Sequence, residues 1–186
     1  MISNEFPPAG ECMTRAVQYL ETSDLVFHSD GLKNHKRVSD FEKAMTMLSI
    51  AESQIPNDTD VTAEDLSNYR RRITDLIQSN TPTLNNFLSE IFYTSSRAIN
   101  ERWDTPCLYR SAIKFLQDKY DGFDDLLDDE DHEFLDEIDD LLKELSTSIE
   151  PLPERLIPPG IPDSHWWWRL PSATPEEAAD ARYDDY

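Results

Sequence analysis

The sequence predicts an all-α fold, an irregular bundle of about six helices with an extended Pro/Trp-rich C-terminal tail packed on it. Helix start signals recur along the chain, and the apolar residues between them repeat at three- and four-residue intervals. No segment alternates apolar and polar residues as a half-buried strand does, and four glycines are too few for a protein built from tight β-hairpins.

The start signals are of two kinds. Ser39 followed by Glu42 reads as a capping box, and Thr62 followed by Asp65 is a weaker relative of it. Thr81-Pro82, Thr105-Pro106 and Thr174-Pro175 each set an N-cap before a proline, whose missing N–H costs nothing in the first turn.

Apolar spacing fills the intervals with helices over about 9–27, 40–55, 63–79, 82–102 and 106–119. Their core-facing residues are Met13, Val17 and Leu20; then Phe41, Ala44, Met45, Leu48 and Ala51; then Leu66, Tyr69, Ile73, Leu76 and Ile77. The fourth helix offers Leu84, Phe87, Leu88, Ile91 and Phe92, the fifth Leu108, Ala112, Ile113, Phe115 and Leu116. The sixth has an unbroken apolar stripe: Phe134, Leu135, Ile138, Leu141, Leu142 and Leu145.

From Pro151 the character changes, which divides the chain into an acidic helical body over 1–150 and a tail over 151–186. Seven of the twelve prolines fall between 151 and 175, which excludes helix and points to extended, polyproline-like chain. On such a chain Trp166 and Trp168 share one side and Trp167 the other. Three indoles carry too much apolar surface to stand in water, so the tail is expected to fold back on the body. Outward-turned indoles, Trp166 and Trp168, would then anchor a partner, with Arg169 beside them to stack on an indole or pair with acids. A short helix is expected from Pro175 through Ala181.

Charge is the strongest compositional signal. The chain carries 38 acids against 17 bases, and fourteen of those acids lie within 121–150 beside one base, Lys143. A net charge of −21 repels nucleic acid and anionic lipid, so direct nucleic-acid and membrane binding are excluded and a basic protein partner is expected. The expected contact residues are Asp131, Glu133, Asp136, Glu137, Asp139, Asp140 and Glu144 on the polar face of the sixth helix. Lys143 is placed to answer Asp139 four residues earlier.

Signs of chemistry are sparse. Aligning Gly122 with the glycine of an EF-hand loop puts Gln117 and Lys119 where carboxylates belong, so that motif fails. Asp128, His132 and Asp136 would share a helical face and make a metal-dependent enzyme centred on His132 one alternative. Cys12 and Cys107 have no partner spacing and read as buried thiols, and no catalytic or cofactor motif occurs. The arginine triplet Arg70-Arg71-Arg72 reads as a stitch between helices.

The expectation is therefore a non-enzymatic acidic protein of the immunity, antitoxin or nucleic-acid-mimic type, without cofactor or metal. It would occupy a basic surface on a toxin, nuclease or other nucleic-acid-binding protein; the oligomeric state is left open. A structural or assembly adaptor docking through its Trp-rich tail is the other alternative. The N-terminal residues carry neither a basic region nor an apolar run, so a cytoplasmic location is expected.

Overall fold

The computed structural model describes residues 6–25, 34–98 and 102–169. The expected short helix after Pro175 lies outside the described residues. Among the described residues six α-helices follow one another: α1 (Ala9–Leu25), α2 (Asn34–Gln54), α3 (Ala63–Gln78), α4 (Thr81–Arg97), α5 (Asp104–Lys119) and α6 (Asp129–Ser146). No strand occurs among the described residues, and the protein is all-α. No described helix is long and apolar enough to cross a membrane.

The local signals explain some helix ends and not others. Thr62 caps α3 in a full capping box, its hydroxyl accepting from the backbone N–H of Asp65 at 3.1 Å. Ser39 caps nothing, because α2 already runs from Asn34. Neither proline nor glycine interrupts 32–39, so the helix continues through a residue that could have started it. At α4 the residue before the helix is Asn80 rather than Thr81, and Pro82 falls in the first turn. α5 likewise begins at Asp104, before Thr105.

α2 is the central helix, packed against α1, α4 and α5, while α3 packs mainly on α1 and α6 on α4. Phe41, Met45 and Leu48 of α2 meet Leu20 of α1, Ile73 and Ile77 of α3, Phe87 of α4 and Phe115 of α5 in one core. These positions follow the helical spacing of the sequence, which places one apolar face of each helix inward. Phe92 is an exception: it continues the apolar run of α4 yet remains 38% exposed.

Polar contacts fix how the helices join. Glu52 of α2 is wholly buried and accepts two hydrogen bonds from Arg70 of α3, Nε to Oε1 at 2.9 Å and Nη2 to Oε2 at 2.7 Å. Lys119 and the Tyr120 hydroxyl, at the end of α5, reach the same carboxylate at 3.1 and 2.9 Å. Burial alone would raise the Glu52 pKa, but the Arg70 hydrogen bonds and the charges of Lys119 and Arg70 outweigh it and hold it below the usual value. Arg72 reaches Glu21 of α1, so two members of the arginine triplet link helices, as the sequence predicts.

The tail is not simply extended. A 3-10 turn forms at Glu154–Leu156, and the Ile161 N–H donates back to the Pro158 carbonyl at 3.4 Å. Pro159 and Gly160, the latter with φ +80°, occupy the two central positions in the pattern of a type II turn. A second 3-10 turn comprises the tryptophans, Trp166–Trp168. Turn geometry replaces the expected alternation: Trp167 and Trp168 are both buried, and Trp166 is half-buried.

Candidate acidic surface on α6

α6 starts where its own acids make starting favourable. Asp128 is the N-cap, its carboxylate accepting from the Asp131 N–H at 2.9 Å while the Asp131 carboxylate accepts from the Asp128 N–H at 3.2 Å. Asp129, Glu130 and Asp131 then lie in the first turn, where the helix dipole favours negative charge. The far end has only Lys143, so the unfavourable charge is on the middle and C-terminal turns. Lys143 pairs with Asp140, three residues before it, at 2.9 Å, and not with Asp139.

Asp139 is engaged inside the protein. Arg110 of α5 grips it with Nε to Oδ1 at 2.6 Å and Nη2 to Oδ2 at 2.8 Å, and the same guanidinium lies 5.1 Å over the Trp167 ring. The Arg110 side chain is 7% exposed and Asp139 is 24% exposed, so this pair ties α6 to α5 and to the tail. Asp139 is therefore engaged by Arg110, and Asp131 takes part in the cap of α6. Helical phase could have found the first of these: Asp139 is four residues after Leu135 and three before Leu142, both buried.

What remains on the outside is substantial. Twelve of the fourteen acids in 121–150 are exposed, all except Asp131 and Asp139. Glu133, Asp136, Glu137, Asp140 and Glu144 of the expected set are among them. The clefts of about 550, 490 and 440 Å³ are lined by other parts of the molecule, and the exposed acids of α6 contribute to none of them.

The tail residues proposed as partner contacts have other duties. Trp168 is 1% exposed and so cannot meet a partner without unfolding. Its indole N–H and that of Trp167 both donate to the Ser111 hydroxyl of α5, at 2.8 and 3.0 Å. Those two bonds occupy both lone pairs of the oxygen, so the Ser111 proton goes to His165 Nδ1, 3.0 Å away. His165 is then the Nε2–H tautomer, stacked on Trp167, with Nε2 buried and unpartnered. Burial pulls its pKa down to about 4; Asp118 opposes this, and the Arg110, Lys114 and Lys119 charges add to it.

The Trp103 indole and the Cys107 thiol complete the anchor, reaching the Trp167 carbonyl oxygen at 2.9 and 3.3 Å. Trp166 packs edge-on against Trp167, and Arg169 pairs with Asp163 at the surface. Neither Ser111 nor Glu52 is marked in the sequence as important. Each nevertheless stands in an apolar stripe, Ser111 between Cys107 and Phe115 and Glu52 after Met45 and Leu48, where a polar residue needs an internal partner.

The residues around His132 do not assemble a metal centre. Asp128 belongs to the cap, and among the described residues no group of three histidine, cysteine or acidic side chains is placed to hold an ion. Cys12 and Cys107 are both buried and free, and burial pushes the Cys12 thiol up to about 11. Neither is activated as a nucleophile.

No protein-family model, curated protein or solved structure matches this chain.

Proposed function

We propose that this chain is a non-enzymatic acidic binding protein that works in the cytoplasm by occupying a basic surface of a protein partner. The observation that carries the reading is the exposure of twelve acids within 121–150, answered in that segment by Lys143 alone. Like charges along one helix repel, and the C-terminal acids also oppose its dipole. A basic partner would relieve both costs and be drawn in by the long-range field. The concrete form is a stoichiometric inhibitor of the immunity, antitoxin or nucleic-acid-mimic kind, whose target is a toxin, nuclease or other nucleic-acid-binding protein. An adaptor docking through the tail has less support, because Trp167 and Trp168 are interior.

The test is the triple variant Asp136→Lys, Glu137→Lys and Asp140→Lys, three exposed positions that the fold does not use for packing. Its helix content is expected to match the parent, while capture of basic partners from a native extract falls and loses its steep dependence on salt. Unchanged partners at unchanged salt tolerance would end the reading.

A further inference from the structure

Phe92 and Tyr93 of α4 stand out as exposed large hydrophobic residues, at 38% and 52%. Phe92 is not isolated. Its ring stacks on that of Phe134 of α6, with centroids 5.6 Å apart and planes inclined by 29°. Phe134 is itself only half-buried, as is Leu141 two turns further along the same helix. An aromatic ledge thus runs along the seam where α4 and α6 meet.

The two helices flank this ledge differently. On α4, the exposed residues that share the face of Phe92 are Asn85, Ser89 and Ser96, all uncharged, while the exposed Arg97 lies further round the helix and donates to the Tyr93 hydroxyl at 2.6 Å. This solvent-facing strip carries no charge. It lets another backbone approach without desolvating an ion. On α6, Glu130, Glu137 and Glu144 are all exposed and follow one another at seven-residue intervals, which sets each about 10.5 Å along the helix from the next. At about 100° per residue all three fall on the side of Phe134 and Leu141 that faces away from the buried stripe.

We infer that the exposed face of the α4–α6 seam docks a basic amphipathic helix of the partner. This rests on the acid-face reading and narrows it. The incoming helix sets apolar side chains on Phe92 and Phe134 and presents lysine or arginine at heptad spacing to Glu130, Glu137 and Glu144. Charge selects this occupant over a second copy of the chain, which would bring its own acids against the stripe. Apolar contact supplies what the acids alone lack, a register.

The experiment uses the full chain and two synthetic three-heptad peptides of identical composition. One is amphipathic, with leucine on one face and flanking lysines every seven residues; the other is scrambled so that no apolar face forms. Fluorescence anisotropy at near-physiological salt should show the amphipathic peptide binding about tenfold more tightly than the scrambled one. Phe92→Ser and Glu137→Gln should each remove most of that difference. Glu137→Gln is a surface change, so it keeps the test decisive if Phe92→Ser proves unstable. Equal, salt-sensitive binding of both peptides, unmoved by Phe92→Ser, would overturn the seam as a docking face and leave the acid-face reading standing. No binding of either peptide would also overturn the seam as a docking face; the triple lysine variant then judges the broader reading separately. Concentration-dependent dimerisation abolished by Phe92→Ser would overturn it in favour of a second copy.

Discussion

The hydroxyl of Ser111 lies 3.0 Å from His165 Nδ1, and through this contact one small side chain on α5 satisfies three ring nitrogens of the tail. All three rings are buried or nearly so, and water cannot substitute for the hydroxyl. Ser111→Ala would leave two indole donors and an imidazole nitrogen without their partner. The expected cost is about 2–4 kcal/mol, read as a lower midpoint in chemical denaturation with unchanged slope. A variant as stable as the parent would show that the tail is held by apolar contact alone.

His165 gives the protein an acid limit with a defined sign. Its folded pKa of about 4 lies below the ordinary 6.5, so the unfolded chain binds the proton more readily. The stabilisation is complete above pH ~6.5 and falls as pH drops towards ~4, amounting to a loss of about 2 kcal/mol at pH 5. His165→Asn keeps an acceptor near the Nδ1 position and cannot be charged. Stability curves of the two proteins from pH 7 to pH 4 should therefore converge on the acid side. Parallel curves would exclude His165 as the titrating group.

Glu52 is a buried acid whose partners favour its charged form. Its pKa is held down, so its contribution is present above the unfolded glutamate value and disappears at still lower pH than the His165 effect. Glu52→Ala removes the common partner of Arg70, Lys119 and Tyr120 and leaves their donors facing a buried gap. A destabilisation of about 3 kcal/mol is expected, because breaking a buried pair strands the remaining charge. Arg70 and Lys119 are each about a quarter exposed, which limits the loss. Thermal melting of Glu52→Ala beside Arg72→Ala checks the contrast: the exposed Arg72–Glu21 pair should matter by less than about 1 kcal/mol.

Where the sequence was legible, the signal was local or periodic. The Thr62–Asp65 cap and the stripe of α6 depend on residues three or four apart, and both appear in the structure. Ser39 fails as a cap because whether a helix starts or continues depends also on what precedes the signal. The proline run excluded helix, but the Pro159-Gly160 dipeptide and the 3-10 turn at the tryptophans decide which indoles face inward. Which acids of α6 remain free depends on where Arg110 lies across the α5–α6 contact, a separation of 29 residues that no spacing rule covers. The run of acids was therefore visible as a region, while the pairing of Asp139 with Arg110 was not.

Gly160 tests whether the tail belongs to the fold. Its φ of +80° favours glycine, and a Cβ added there would lie 2.1 Å from the Ser53 carbonyl oxygen of α2. That atom is backbone and cannot swing aside. Gly160→Ala should therefore either displace the turn or cost more than the ~1 kcal/mol of an unfavourable backbone conformation alone. Amide hydrogen exchange would show the displaced turn as faster exchange at Ile161 and His165, whose N–H groups bond within the tail.

The tryptophans separate packing from partner contact in a single series. Trp168 is buried with its N–H bonded, so Trp168→Ala removes apolar contact and creates a cavity, for about 3–5 kcal/mol. Trp166 is half-buried and packs edge-on to Trp167, with no hydrogen bond to Ser111, so its truncation should cost less than half as much. Truncation after Glu150 removes His165, Trp167 and Trp168 together from the surface formed by Trp103, Cys107, Ser111 and Phe115. The shortened chain should melt lower and self-associate through the uncovered apolar face, which sedimentation would register as a concentration-dependent rise in mass. If it instead melts unchanged and stays monomeric, the indoles are not part of the core. Their hydrogen bonds to α5 would then contribute nothing, and the tail would be free to serve a partner.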